Sequence, residues 1–374
     1  MKTKLISLVL LALYLSSCST ISKSNDTLKH AFKNKFLIGA AINSDQASGK
    51  NAKGQQVIIN QFSAITPENC MKAEVVHPEN EKFNFNLADQ FVDFGVKNKK
   101  TIIGHTLIWH SQAPKWFFVN EKGDTVSRDE MIQRMKTHIT TVMTRYKGKI
   151  KGYDVVNEAI NDDGSWRQSP FYKIIGKDFI KLAFQFAHEA DPNAELYYND
   201  YSMAKPEKRD AVVKMVKDLK EQGVRIDGVG MQGHFSMDFP SVEEEEKSIL
   251  AFASTGVKVM ITEMDISVIP FPQGRVTADV ALKYKYDTKM NPYPNGLPDS
   301  VATALRERYA SFFRMFLKHT DVISRVTLWG VSDADSWRNN WPIFGRSDYP
   351  LLFDRNYEPK PVVEDIVKMA KKKN

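Results

Sequence analysis

Short apolar runs alternate with helical patterns along most of this chain. The runs are Phe36–Ile42, Ala64–Pro67, Thr101–Trp109, Gly152–Asn157, Glu195–Asn199, Gly228–Gln232, Lys258–Thr262 and Arg325–Trp329. They are rich in β-branched or aromatic residues and do not alternate apolar with polar, as expected of parallel strands buried on both faces. Between the third and fourth runs, Ser127-Arg-Asp-Glu130 reads as a capping box. It opens a helix with Met131, Met135, Ile139 and Val142 on one face. Further helices are expected over Phe179–His188, stopped by Asp191-Pro192, and over Ala211–Leu219, stopped by Gly223. Another is capped by Ser241 and ended by Gly256, one covers Val301–Leu317, and the last has Pro361 in its first turn. Eight β-then-α units without a break predict one α/β domain, a (β/α)₈ TIM barrel. The competing architecture is a doubly wound open sheet. Against it, Gly39-Ala-Ala-Ile-Asn43 lacks the glycine spacing of a phosphate-binding turn.

Composition bears mainly on the two ends. With 42% hydrophobic residues in 374, the chain can bury a large core. The net charge of +7 is spread among well-mixed acids and bases, so no nucleic-acid partner is expected. The Glu243–Glu246 run reads as a solvated helix start and not as a metal site. At the N-terminus, Lys2 and Lys4 precede the apolar run Leu5–Leu15, too short to span a bilayer and suited to an export signal. Leu15-Ser16-Ser17-Cys18 resembles a bacterial lipobox, which implies cleavage before Cys18 and its acylation. The expected organisation is a signal over 1–17, a tether over 18–30 and the barrel over 31–374. The protein would then be exported and lipid-anchored in the cell envelope, facing the periplasm or the cell surface. Cys70 is left without a partner cysteine and reads as a packed thiol.

In a barrel the chemistry sits at the C-terminal strand ends, and the polar and aromatic residues of this chain collect there. In strand order they are Asn43; Glu68, Asn69 and Lys72; His105, Trp109, His110 and Gln112; Asn157 and Glu158; Asn199, Asp200 and Tyr201. The last three strands end in Gln232 and His234; Glu263 and Asp265; Trp329, Asp333 and Trp337. Amides, a few charges and indole faces suit a sugar-binding cleft. Glu158 and Glu263 are candidates for the two carboxylates that glycosidic cleavage requires, one protonated and one ionised. The pair Asn-Glu also occurs at Asn80-Glu81 and Asn120-Glu121, both in polar loops, and only Glu158 closes an apolar strand. A metal-dependent hydrolase would need His/Asp clusters. His105 and His110 show no acidic neighbour nearby in sequence, so neither metal nor cofactor is expected.

At this point the chain resembles a known family, glycoside hydrolase family 10, the endo-1,4-β-xylanases. The likeness runs from Phe36 to Val367. Besides the first strand, Phe36–Asn43, it is carried by Thr66-Pro-Glu-Asn-Cys-Met-Lys72, Gly104-His-Thr-Leu-Ile-Trp-His110 and Asp154-Val-Val-Asn-Glu-Ala159. Tyr198-Asn-Asp200, Gly230-Met-Gln-Gly-His234, Ile261-Thr-Glu-Met-Asp265 and Trp329-Gly-Val-Ser-Asp333 complete it. The resemblance implies a retaining mechanism on xylan and xylo-oligosaccharides, with Glu158 as acid/base and Glu263 as nucleophile. It implies that His234, with Asp265 behind it, orients Glu263, and that Asn157 bonds the substrate 2-hydroxyl. Lys72, His105, Trp109 and Gln232 would surround the sugar at the cleavage point. Asn43 and Gln112 are further expected sugar contacts. Glu68 and Asn69 would serve the next glycone site, Asn199 and Tyr201 the aglycone side, and Trp329 and Trp337 the wall. The alternatives are another retaining barrel glycosidase, a β-1,4-glucanase or mannanase, or a non-catalytic lipid-anchored glycan-binding protein. A monomer is expected.

Overall fold

The computed structural model describes residues 27–272 and 283–372. The expected signal, Cys18, most of the tether and part of the Ile269–Asp299 stretch lie outside the described residues. Among the described residues there are nine parallel strands: β1 Leu37–Ile42, β2 Ala64–Pro67, β3 Thr101–Trp109, β4 Gly152–Asn157 and β5 Glu195–Asp200. The remainder are β6 Gly228–Met231, β7 His234–Ser236, β8 Lys258–Ser267 and β9 Ile323–Leu328. Strands β1 to β6 pair in sequence, β6 pairs with β8, β8 with β9, and β9 with β1. That closes an eight-stranded ring, a (β/α)₈ barrel, and leaves no open edge of the kind a doubly wound sheet would show.

The ninth strand continues β6. The chain kinks at Gln232-Gly233, and β7 then lies along the upper part of β8, with His234 opposite Asp265. Gly233 has φ +81, and a Cβ there would stand 2.8 Å from Ile261 Cγ2, so only glycine makes this turn without strain. Within the ring, Ile103, Tyr197 and Met260 form a cluster apart from the large outer core. Gly152 makes room for it, since a Cβ there would meet Tyr197 Oη at 2.5 Å.

The helices begin where side chains satisfy their first N–H groups. Ser127 accepts from Glu130 N and Ser241 from Glu244 N, while Pro361 starts the last helix, Pro361–Lys371. The expected box at Ser127 is half made, because the Glu130 carboxylate turns to Arg134 instead. Two more sequence expectations need correction. Leu28, read as tether, is fully buried in the helix Leu28–Ala31, so the packed chain starts slightly earlier than expected. Glu245, read as solvated, turns inward at 1% exposure, and burial pushes its carboxyl up to about 8, keeping it neutral at ordinary pH.

One buried ion pair ties the site's floor to the outer layer. Lys208, fully buried, donates to Asp200 Oδ1 at 2.8 Å and lies 3.7 Å from the Tyr201 ring centroid. Lys208→Met should destabilise the fold by roughly 3 kcal/mol or more, since it strands a buried carboxylate. A lowered denaturant midpoint at unchanged slope would register this, and an unchanged midpoint would contradict it.

Candidate active site

The strand ends open onto a cleft of about 1780 Å³. Register sets its floor: Trp109 on β3 pairs with Asn157 on β4, and Asn157 with Asn199 on β5. Register shifts in β3 and β4, between His105 and Ile108 and between Asp154 and Val156, re-aim the side chains above them.

Glu158 follows β4 directly and is 6% exposed. Its Oε1 accepts from Gln232 Nε2 at 2.9 Å and its Oε2 from Trp109 Nε1 at 2.8 Å. Glu263, within β8, is 5% exposed. Its Oε1 accepts from Asn199 Nδ2 at 2.8 Å, and its Oε2 lies 3.2 Å from His234 Nε2. Asn157 Oδ1 accepts from both Asn199 Nδ2, at 2.9 Å, and Gln232 Nε2, at 3.4 Å. One amide chain, Gln232–Asn157–Asn199, thus links the two carboxylates across the barrel mouth.

Behind Glu263 stands a row of alternating charges. His234 Nδ1 lies 3.2 Å from Asp265 Oδ2 in an ion-pair contact. Asp265 is fully buried and takes Trp337 Nε1 on Oδ2 at 2.8 Å and the Arg338 Nε and Nη2 on Oδ1 at 2.9 and 2.8 Å. Burial alone would raise the Asp265 carboxyl, but the Arg338 charge, then His234, hold it down at about 2. Burial would likewise raise Glu263; the His234 hydrogen bond, the charges of His105 and His234, and the Asn199 bond outweigh it, and its pKa falls below the usual carboxylate value. Burial would lower His234, yet Asp265 and Glu263 lift it to about 9.

His234 is therefore an imidazolium at neutral pH. A raised folded-state pKa gives stabilisation that is complete below the ordinary 6.5 and is lost as pH rises through about 9. On an aryl substrate whose leaving group needs no proton, an alkaline limb in kcat/KM near that value, with thermal stability falling over the same range, is the expected pH profile. Profiles flat through that range in both measurements would contradict it.

On the opposite wall Lys72 Nζ donates to Asn69 Oδ1 at 2.9 Å and Gln112 Oε1 at 2.7 Å, and lies 5.0 Å from the Trp109 ring centroid. Burial pulls this ammonium below the usual lysine value against the attraction of Glu263, Glu68 and Glu158. His105 Nδ1 donates to Asp154 Oδ2 at 2.9 Å, and its ring stands edge-on to Trp329 at 5.2 Å. Trp337 stacks on Trp341 at 5.0 Å. Glu68, Tyr201, Trp329 and Trp337 all line the cleft.

A model of glycosyl hydrolase family 10 matches residues 27–369. The chain belongs to glycosyl hydrolase family 10. Among its relatives, endo-1,4-beta-xylanase A of Xylanibacter ruminicola is 50% identical over 359 residues, which cover 96% of this chain and 97% of the relative. An endo-1,4-beta-xylanase of Geobacillus stearothermophilus is 40% identical, with 94% and 99% covered. A solved family 10 endoxylanase retrieved from a sugarcane soil metagenome superposes with a TM-score of 0.88 at 48% identity, covering 91% of this chain and 99% of that one.

Within this family 10 barrel, some expected site residues sit elsewhere than the sequence suggested. Asn43 caps the short helix Ser44–Ser48, accepting from Gln46 N at 3.0 Å while Gln46 Oε1 takes its own N–H, and it does not line the cleft. Asn199 is fully buried beneath Asn157 and Glu263, behind the cleft surface and not on its aglycone side. Asp333 pairs with Lys360 at 2.7 Å, out of the cleft. His105 has an acidic neighbour after all, because Asp154 comes from the adjacent strand. Asp154, Arg338 and Trp341 were missed as site residues. Only Asp154 carried a sequence signal: a carboxylate inside an apolar, doubly buried strand demands a partner.

Proposed function

We propose that this protein is a retaining endo-1,4-β-xylanase, with Glu158 as acid/base and Glu263 as nucleophile. Membership of family 10 and relatives up to half identical that bear the xylanase name support the activity. The observation that carries the residue assignment is the amide chain Gln232–Asn157–Asn199, which holds one oxygen of each buried glutamate.

In the first step a Glu263 oxygen bonds to the anomeric carbon while the bond to the leaving oxygen breaks. Glu158 gives its proton to that oxygen. Ester formation removes the charge of Glu263, and Glu158 then takes a proton from the incoming water, which displaces the ester. His234, charged between Glu263 and Asp265, keeps the nucleophile ionised and aimed. Asn157 has its Oδ1 engaged, so its NH₂ is the group left to meet the 2-hydroxyl. Trp329 and Trp337 wall the sugar site. Xylose lacks the hydroxymethyl of glucose, and a tight wall rejects what xylose does not carry.

Incubation with xylan and with carboxymethylcellulose tests the substrate class. Hydrolysis confined to xylan supports it, and comparable rates on both polymers would remove it. We further propose export as residues 1–17 direct and anchoring through a lipid on Cys18, on the strength of the basic, apolar and Leu-Ser-Ser-Cys pattern. Cys18→Ala should release the protein from the membrane fraction of its host. Soluble secretion of the unaltered chain would defeat the anchor.

A further inference from the structure

Glu158 stands at φ 60, in the left-handed region that residues with side chains avoid. Such a residue persists only where its surroundings hold it. Two bonds grip its peptide groups. Its N–H donates to the Asn199 carbonyl at 2.9 Å, and its own carbonyl accepts from Arg167 Nε at 2.7 Å. Arg167 arrives there because the chain folds back on itself after Glu158. Ile160 bridges to Trp166, the Arg167 N–H donates to the Ala159 carbonyl at 2.8 Å, and Gly164 makes the turn at φ 79. The far end of the guanidinium is anchored too: Nη2 donates to Tyr201 Oη at 2.7 Å. These bonds reach the backbone of Glu158 and leave its carboxyl to Trp109 and Gln232.

We infer that Arg167 is a positioning residue for proton transfer, fixing the backbone of Glu158 so that its carboxyl meets the leaving oxygen. This rests on the acid role proposed for Glu158. The lever is short but sensitive. A backbone rotation of about 10° swings a glutamate carboxyl by roughly half an ångström, the tolerance within which a working site must be held. Without the Arg167 bond, the Glu158 carbonyl is free to turn and the strained φ to relax, and the carboxyl follows.

The consequence depends on the leaving group. As Glu263 bonds to the anomeric carbon and the aglycone bond breaks, a departing sugar hydroxyl must be protonated by Glu158. A dinitrophenolate leaves as the anion and needs no proton. A misplaced acid therefore slows cleavage between sugars and spares the aryl substrate, whereas a merely structural defect slows both alike.

The test compares kcat/KM on a xylo-oligosaccharide and on dinitrophenyl β-xylobioside for the whole protein, Arg167→Met and Arg167→Lys, with Glu158→Ala alongside. Arg167→Met should lose about 10- to 100-fold on the oligosaccharide and less than about 3-fold on the aryl substrate. Arg167→Lys, which retains a donor, should fall between it and the parent. If the Met variant does not fold, the ratio measured for the Lys variant decides. Equal losses on both substrates, or none on either, would overturn the inference. If Glu158→Ala itself shows no dependence on the leaving group, the acid assignment fails and this inference with it.

Discussion

Glu263→Gln should abolish xylan hydrolysis, lowering kcat by at least about 10⁴-fold, the scale of losing a covalent nucleophile. The substitution is nearly isosteric, so Asn199 Nδ2 retains an acceptor and the strand β8 its packing. What disappears is the negative oxygen that would form the glycosyl ester. His234 keeps Asp265 as a counter-charge, so the fold should survive with little change in thermal midpoint. A loss of activity with the fold intact separates chemistry from stability. Full activity in this variant would leave the nucleophile assignment without support.

Glu158→Gln should cost about 10²- to 10⁴-fold on xylan, the usual weight of general acid–base catalysis. The amide still fits between Trp109 Nε1 and Gln232 Nε2, although it presents one of those donors with an NH₂. With dinitrophenyl β-xylobioside the expected pattern is different. The first step needs no proton donor, so kcat/KM should barely change. The second step has lost its base, so the glycosyl-enzyme should accumulate and give a burst of dinitrophenol followed by slow turnover. Azide, which attacks without a base, should restore turnover and yield the β-azide. A burst-free variant that azide does not rescue would contradict the assignment.

The frame and the chemistry were legible in the sequence to different depths. Strands β2, β3 and β4 are read to the residue, because each is a short apolar run bounded by polar residues. β8 extends to Ser267, five residues past the expected end at Thr262. Its upper half, with Glu263, Asp265 and Ser267, is polar because it faces the site, so the apolar signal stops before the strand does. β7 is invisible for a related reason: its pairing partner is that same polar half. The helices Ala52–Gln61 and Asn86–Lys97 lie outside the helical patterns expected from the sequence. The first buries only Gly54 and Ile58, too few apolar positions to make a stripe.

Among the site residues, those at strand ends could be placed by counting, but not by direction. Asn43 ends its strand and yet is spent on a helix cap, an alternative that asparagine at a strand–helix junction always offers. Asn199 and Glu158 show the difference three-dimensional pairing makes: adjacent strands place the Asn199 carbonyl on the Glu158 N–H, and barrel closure brings its amide under Glu263 from across the intervening β6. Arg338 and Arg167 carry no pattern at all. A cation beside a tryptophan in a loop becomes meaningful only once the carboxylate or carbonyl it reaches is known.

The most direct measurement of the central claim is covalent trapping. A 2-deoxy-2-fluoro-β-xylobioside with a dinitrophenyl leaving group forms the ester and stalls there, since the fluorine disfavours the second oxocarbenium-like transition state. Digestion and mass spectrometry should find one xylobiosyl adduct, on the peptide containing Glu263, and none in Glu263→Gln. An adduct on another residue, or release of the inverted anomer from xylo-oligosaccharides, would contradict the account.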